Sequence, residues 1–246
     1  MTKRKMILTA HQPVYLPWLG LFHKIALSDA FCYFDDVQYL KKDWNNRNKI
    51  KTLQGGIWRT VPVLSKGYRG KKIREIKIDN FTNWQKKHWK SIYFAYKKAP
   101  YFSRYSDFLE EIYEKEWHYL TDLNEYLLKY FLKELGINVE YHKASELNFE
   151  GQKSSLVLEM CKKLGADLFI FGALGKDYAE EAAFSQAGIK VYFQNYIHPV
   201  YLQSERDFIS HMSIIDLLFN CGPNSYGILM MGNITKKELK KKFKMK

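Results

Sequence analysis

Residues 5–36 read KMILTAHQPVYLPWLGLFHKIALSDAFCYFDD and contain a complete strand–loop–helix–strand unit. The apolar run Lys5–Ala10 is typical of a buried strand, and Ala30–Phe34 is a second one. Pro17 suits the first turn of a helix, where its missing N–H is harmless, and the apolar spacing predicts that this helix covers Trp18–Ser28. Strand, helix and strand within about thirty residues indicate the βαβ unit of a parallel sheet.

The same alternation returns after residue 136. Three further apolar strands are predicted, each after a glycine that can end a helix: Ile137–Tyr141 after Gly136, Asp167–Phe171 after Gly165, and Ile189–Phe193 after Gly188. Helices are expected between them at Ser154–Leu164 and Tyr178–Gln186. This repetition predicts an α/β fold with a mostly parallel, Rossmann-like sheet.

The middle of the chain departs from this pattern. We expect two alternating strands joined by an exposed Gly- and Lys-rich hairpin loop, followed by helices. The strands are Trp58–Val63 and Ile73–Ile78, the loop is Ser65–Lys72, and the helices are Trp84–Lys98 (capped by Asn83), Ser103–Lys115 and Leu120–Leu135. We therefore predict one α/β domain over residues 1–235 with an α+β insertion at about 40–135, and a basic tail at 236–246.

The composition excludes several classes of protein. With 46% hydrophobic and 26% charged residues, the 246-residue chain is neither disordered, collagen-like nor a simple coiled coil. Aromatic residues make up 16% of it, which indicates an aromatic core, a stacking pocket or both.

The net charge of +13 is unevenly distributed. Residues 236–246 hold seven lysines and Glu238, so this tail carries +6 and the rest of the chain +7. We expect the tail to be a frayed, solvated helix end that could attract anionic lipid or nucleic acid without specificity. The rest of the chain suits anionic substrates such as nucleotides, and no specific nucleic-acid binding is predicted.

The three cysteines, Cys32, Cys161 and Cys221, lie in apolar stretches without redox or metal-binding spacing, which favours buried thiols in a reducing compartment. No apolar run is long enough to span a bilayer, and Met6–Ala10 is too short for a signal peptide. We therefore predict a cytoplasmic protein. No HExxH or CxxC motif is present, and no metal site is predicted.

Chemistry-bearing residues follow three of the predicted strands. His11 follows the first, Asp36 the second and His198 the last. Right-handed crossovers bring the carboxyl ends of parallel strands to one edge of the sheet, where such sheets bind ligands. His11, Asp36 or His198 is therefore a candidate general base in one polar, aromatic pocket. Packing of the loops in the core is the alternative reading.

Standard phosphate-binding loops are absent, because the chain has neither GxGxxG nor a Walker motif. The strand, short loop and helix around Gly20 are loosely similar to the nucleotidyltransferase arrangement. The residues that we expect to bind substrate are Gln12, Tyr15, Gly20, Lys24, Gln38, Trp44, Arg47, Asn48, His88, Tyr201, Gln203, Ser213 and Asp216. For each, core packing, capping or solvation is the alternative.

Six irregular blocks resemble the WbqC-like family over roughly residues 7–222. They are HQPVYLPWLGLFHKIALSD (11–29), FDDVQYLKKDWNNRNKIK (34–51), WRTVPV (58–63), KKHWKSIYFAYKKAPYF (86–102), IHPVYLQ (197–203) and FISHMSIIDLLFNCG (208–222). The resemblance implies a link to bacterial O-antigen and other surface polysaccharides. It also implies a transferase that joins an acyl or aminoacyl group, such as glycine, to a dTDP- or UDP-linked amino sugar.

Chemistry then predicts individual roles. Arg47 and Lys24 would neutralise the diphosphate, Tyr15 or Trp44 would stack on base or sugar, and Asn48 or loop N–H groups would stabilise the oxyanion. The activated donor stays open between an ATP-derived adenylate, a thioester carrier and a charged tRNA. A nucleotidyltransferase-like enzyme using ATP and a non-enzymatic basic protein that binds nucleic acid or an assembly partner are the alternatives. The oligomeric state is open, a homodimer included.

Overall fold

The computed structural model describes residues 5–64, 66–204 and 207–245. Within them the strands are β1 (Ile7–His11), β2 (Ala30–Tyr33), β3 (Arg47–Thr52), β4 (Gly55–Thr60), β5 (Glu140–Lys143), β6 (Leu168–Phe171) and β7 (Lys190–Phe193). Five of them form a parallel sheet in the order β5-β2-β1-β6-β7. The predicted α/β class with a Rossmann-like parallel sheet is confirmed.

The described residues form ten α-helices. They are α1 (Leu19–Ala26), α2 (Trp84–Tyr96), α3 (Phe102–Glu114), α4 (Leu120–Glu134), α5 (Ala144–Leu147), α6 (Lys153–Lys163), α7 (Glu181–Gln186), α8 (Ile214–Cys221), α9 (Ser225–Met230) and α10 (Lys236–Lys242). The segment Ala173–Asp177, just before α7, forms a 3₁₀ turn. The helix expected from Tyr178 therefore begins later than predicted, at Glu181.

Each strand sends alternate side chains to opposite faces, so the sheet separates distinct apolar clusters. In β2, Phe31 and Tyr33 join the large cluster that includes α2, α3, α4 and α8, whereas Ala30 and Cys32 face α6. In β1, Leu8 also faces α6, whereas Ile7 contributes to a third cluster. Both faces of the sheet are covered, as expected for parallel strands with few polar residues.

The predicted hairpin between Trp58–Val63 and Ile73–Ile78 is wrong. The structure pairs β3 with β4 in an antiparallel ribbon that turns at residues 53–54. Ile73–Glu75 is a 3₁₀ turn. One isolated bridge, between Val63 and Ile78, is what the structure retains of the expected strand pairing. β3 reads RNKIKT, and its polar composition concealed it from a search for apolar alternation. Ser65, in the predicted loop, lies outside the described residues.

The frayed helix end expected at the C-terminus is also wrong. α10 begins at a capping box in which Thr235 and Glu238 bond each other's backbone N–H groups. Leu239 and Met245 are buried in the third cluster, with Ile7 and other residues of the sheet. Lys236 forms an ion pair with Asp29 at 2.7 Å. The helix is therefore packed on the rest of the molecule through Leu239, with lysine contacts beside it.

Candidate functional site

The strand order places a candidate site at the end of β1. Along the sheet, the chain moves from β1 through β2 to β5, and then crosses back to β6 and β7 on the other side of β1. Ligands of open parallel sheets bind at such a reversal, outside the carboxyl ends of the strands. His11 is the last residue of β1, and Gly172 directly follows β6.

Four aromatic rings form a continuous row from this point, which we call the rim row: His11, Trp18, Trp44 and Trp58. Successive ring centroids lie 5.3 Å, 5.5 Å and 5.2 Å apart. Trp44 and Trp58 remain 37% and 38% exposed. The rim row thus joins the end of β1 to the face of the β3–β4 ribbon and offers indole surface to a planar or sugar-like ligand.

Two cations lie over the outer end of the rim row. The guanidinium carbon of Arg47 is 4.5 Å from the ring centroid of Trp58, and Lys49 Nζ is 5.0 Å from it. Neither residue forms an ion pair with a carboxylate of the described chain. Arg47 Nε is buried and unpartnered, although another guanidinium N–H donates to the Lys42 carbonyl. These cations are therefore available to an anion.

Buried amides hold the two loops of the rim row together. Asn45 Nδ2 donates to the Pro13 carbonyl (2.8 Å) and, less closely, to Gln12 Oε1 (3.4 Å). Asn48 Nδ2 donates to the Leu16 carbonyl at 2.5 Å, and its Oδ1 accepts from the Lys49 N–H. Because both ends of the Asn48 amide are engaged, its contribution here is to position the loop. Oxyanion binding by Asn48 stays a prediction.

His11 presents a free lone pair at the start of the rim row. Its Nδ1 lies 2.9 Å from the Gln12 carbonyl, which can only accept, so Nδ1 carries the proton and Nε2 is the acceptor. Nε2 has no hydrogen-bond partner among the described residues. Burial, and to a lesser extent the charge of Lys24, lower the pKa of His11 to about 3. The imidazole is therefore neutral at physiological pH.

Lys24 is the charged neighbour of His11 beneath this rim. It belongs to α1, is 4% exposed, and donates from Nζ to the Ala10 carbonyl at 2.9 Å. Burial lowers the pKa of Lys24 to about 7, and it has no carboxylate partner within the described part of the chain. A buried lysine without a counter-ion is an unfavourable element of a fold, and such groups cluster at functional sites.

The other two base candidates are already engaged. Asp36 accepts from Lys72 Nζ and Arg74 Nε, each at 2.6 Å. His198 donates from Nδ1 to the Pro199 carbonyl, and its Nε2 accepts from the His211 N–H at 3.2 Å. Of the three predicted bases, His11 is therefore the one whose acceptor atom is open.

The two histidine-bearing segments approach each other across Gly20. A Cβ at Gly20 would lie 3.1 Å from a ring carbon of Tyr196 and 3.2 Å from Trp18 Nε1. Trp18 packs on His11, and the Tyr196 ring is 6.2 Å from that of His198. Gly20 thus allows the loop after β1 and the segment after β7 to meet at the first turn of α1.

Other predicted residues lie in buried networks. Tyr15 Oη is 2.9 Å from His88 Nδ1 and 2.5 Å from Tyr113 Oη, and all three residues are buried. Burial raises the pKa of Tyr15 and lowers that of His88 to about 3. Gln38 is exposed, in a bridge with Lys72. Substrate contact by these residues stays a prediction.

Asp216 is the centre of a second buried network. It is fully buried and accepts from Tyr96 Oη (3.0 Å), Tyr201 Oη (2.8 Å) and Gln203 Nε2 (2.7 Å). Burial raises the pKa of the Asp216 carboxyl, and the hydrogen bonds from the three donors offset part of this rise. The network ties residues 198–203 to α2 and α8. Ser213, at the start of α8, is also fully buried, and its Oγ has no partner.

Sequence reasoning missed Trp18, Lys49 and Trp58 as site residues. Trp18 was assigned to the helix, although it lies just before α1 with an extended backbone. Lys49 and Trp58 are directly opposite each other on β3 and β4, so only the correct ribbon reveals that pair. A lysine and a tryptophan at paired positions of two strands form a favourable cross-strand contact, and this pair is the sequence signal that could have indicated the ribbon.

Among the described residues no group of three or more His, Cys, Asp or Glu could hold a metal ion. None of the helices in the described ranges is both long and apolar enough to cross a membrane.

Comparisons with known proteins place the chain in a family. The model of the WbqC-like protein family matches residues 12–228. The chain belongs to the WbqC-like protein family. It is also 38% identical over 213 residues to "Uncharacterized protein Rv1507c" of Mycobacterium tuberculosis (strain ATCC 25618 / H37Rv), covering 86% of this chain and 92% of that protein. No solved structure matches the chain.

Proposed function

We propose that this WbqC-like protein is a transferase of surface-polysaccharide (O-antigen) biosynthesis, which joins an acyl or aminoacyl group such as glycine to the amine of a nucleotide-linked amino sugar. Family membership suggests the role in polysaccharide biosynthesis. The observation that carries the finer proposal is the rim row with Arg47 and Lys49 beside it. Indole faces stack on sugars and bases, and unpaired cations attract phosphates.

In this proposal the dTDP- or UDP-linked sugar lies along the rim row. Its diphosphate is neutralised by Arg47 and Lys49, and its amino group lies beside His11. The amine nitrogen attacks the carbonyl carbon of an activated donor, the new C–N bond forms, and the bond to the leaving group breaks. His11 Nε2 accepts the proton lost by the amine.

Binding of the sugar nucleotide is the first test. UDP- and dTDP-amino sugars are titrated calorimetrically into the wild-type protein, with UMP and the free amino sugar as comparisons. We expect saturable binding that Trp58→Ala and Arg47→Gln each weaken about tenfold. Arg69→Gln alters an exposed arginine elsewhere, so it should leave the affinity unchanged. The absence of any sugar-nucleotide binding, or equal binding by all variants, would contradict the proposal.

Transfer is tested by mass spectrometry of the sugar nucleotide after incubation with glycine and ATP, an acyl thioester, or glycyl-tRNA. One of these donors should add the mass of its acyl group. His11→Gln should slow this reaction about a hundredfold or more while the affinity for the sugar nucleotide changes little, because a general base acts in the transition state and not in substrate binding. Binding of the sugar nucleotide without transfer from any of these donors would contradict the proposed transferase activity. Pyrophosphate release without an acylated sugar would support the nucleotidyltransferase-like alternative.

A further inference from the structure

A recess lies on the side of the β3–β4 ribbon away from the rim row, between that ribbon and α2. We call it the α2 groove. It has a volume of about 590 Å³, and its walls include Leu53, Ile57, Arg59, Lys87, Lys90 and Phe94. This volume is in the range of small-molecule sites.

The α2 groove is cationic and contains no acidic residue among those that line it. Arg59, Lys87 and Lys90 form no ion pair with a carboxylate of the described chain. Arg59 Nε is buried without a partner, and its guanidinium makes a long hydrogen bond, 3.3 Å, from Nη1 to the Trp58 carbonyl. A guanidinium that is half withdrawn from water and unpaired is suited to a phosphate or carboxylate.

Large apolar side chains flank these cations. Phe94 is 59% exposed and Leu53 is 56% exposed, although both line the α2 groove together with Ile57. Exposed apolar surface next to a recess is typical of a ligand groove. The combination of three cations and an apolar wall fits a molecule that carries an anionic head on an apolar chain.

The α2 groove is separate from the rim row. Trp58 and Arg59 are consecutive residues of β4, so their side chains leave opposite faces of the ribbon. Trp58 contacts Trp44, Arg47 and Lys49, whereas Arg59 lies beside α2. A ligand in the α2 groove therefore does not occupy the proposed sugar-nucleotide site.

We propose that the α2 groove binds an alkyl phosphate, that is, a phosphate monoester on an apolar chain. Arg59, Lys87 and Lys90 bind the phosphate, and Phe94, Leu53 and Ile57 pack on the chain. The charge complementarity and the apolar wall together select this amphiphile over a bare anion.

The test is calorimetric titration with octyl phosphate below its micellar concentration, compared with inorganic phosphate and octanol. Octyl phosphate should bind at least tenfold more tightly than either comparison ligand. Arg59→Gln should weaken this binding about tenfold or more, because a charge-assisted contact is lost. Arg69→Gln is the matched control and should leave the affinity unchanged.

Variants at exposed positions keep the test informative if Arg59→Gln folds poorly. Lys87→Gln with Lys90→Gln, and Phe94→Ser separately, should each reduce affinity several-fold. Trp58→Ala should leave octyl phosphate binding intact, which separates this site from the rim row. No binding of octyl phosphate, equal affinity for inorganic phosphate or octanol, or binding that none of these variants changes would overturn the proposal.

Discussion

Lys24 shows how a single residue can oppose the stability of the fold that contains it. The ammonium group is withdrawn from water with a backbone carbonyl as its partner, and burial lowers the pKa to about 7. In the unfolded chain the pKa returns to its ordinary value near 10.5, so the unfolded state binds more protons between these pH values. The destabilisation is therefore complete below pH 7 and declines as the pH rises towards 10.

Lys24→Met should consequently stabilise the protein. The free energy of unfolding at pH 6 should rise by about 1 kcal/mol or more, because a buried charge is replaced by an apolar chain of similar length. The gain should shrink towards pH 10. Chemical denaturation at several pH values measures it, and Lys237→Met, at an exposed position, is the control. A destabilised Lys24→Met protein would contradict this view of Lys24.

Asp216 contrasts with Lys24, because its buried carboxyl accepts hydrogen bonds from three side chains. Asp216→Ala should lower the free energy of unfolding by about 3 kcal/mol or more, because two tyrosine hydroxyls and the Gln203 amide lose their buried acceptor. Asp216→Asn keeps one acceptor oxygen and should lose less. Denaturant midpoints measure both, with exposed Asp177→Asn as a neutral reference. Equal stability of all three variants would show that the network is energetically unimportant.

At the scale of elements, β3 explains why part of the candidate site escaped prediction. Its side chains are mostly polar, yet Asn48, Ile50 and Lys51 are buried. A polar side chain can occupy such a position because a partner from a distant segment satisfies it, as the Leu16 carbonyl does for the Asn48 amide. The backbone N–H of Lys51 is likewise satisfied from a distance, by the Tyr96 hydroxyl. Those partners are 32 and 45 residues away in the chain. A search for local apolar alternation cannot detect a strand of this kind.

The helix α10 is likewise defined by what it packs against. Leu239→Ala should lower the free energy of unfolding by about 2–5 kcal/mol, because Leu239 is fully buried beside Ile7, Leu168 and Ile170. Lys237→Ala, on the exposed side of the same helix, should change it by less than about 0.5 kcal/mol. Thermal and denaturant unfolding provide the measurement. A Leu239→Ala variant with an unchanged free energy of unfolding would instead indicate a frayed C-terminal tail.

At the scale of the whole molecule, the histidines make stability depend on pH. Burial lowers the pKa values of His11 and His88 to about 3, and those of His23 and His198 less far. The unfolded chain takes up protons near pH 6.5, whereas these folded groups do not. Their contribution to stability is therefore present above pH 6.5 and is lost as the pH falls below it.

The melting temperature should accordingly fall between pH 7 and pH 5, each strongly shifted histidine contributing up to about 1.4 kcal/mol per pH unit below 6.5. Asp122 and Asp216 oppose this trend, because burial raises their pKa values. His88→Gln should make the decline shallower, whatever its effect on absolute stability. His118→Gln, at an exposed position, should leave the slope unchanged. The same pH dependence of the melting temperature in the wild type, His88→Gln and His118→Gln would contradict the assignment of this decline to the buried histidines.

Local sequence determined the α/β class, the five parallel strands and the place of His11 at the end of β1. Apolar runs, helix spacing and glycines at helix ends act over a few residues, so each can be recognised without its neighbours. The tertiary structure alone decided which side chains meet there: the ribbon that sets Lys49 opposite Trp58, the partners that occupy Asp36 and His198, and the packing of α10. Those outcomes depend on contacts between residues far apart in the chain, because charge pairing and burial arise only once the segments are assembled.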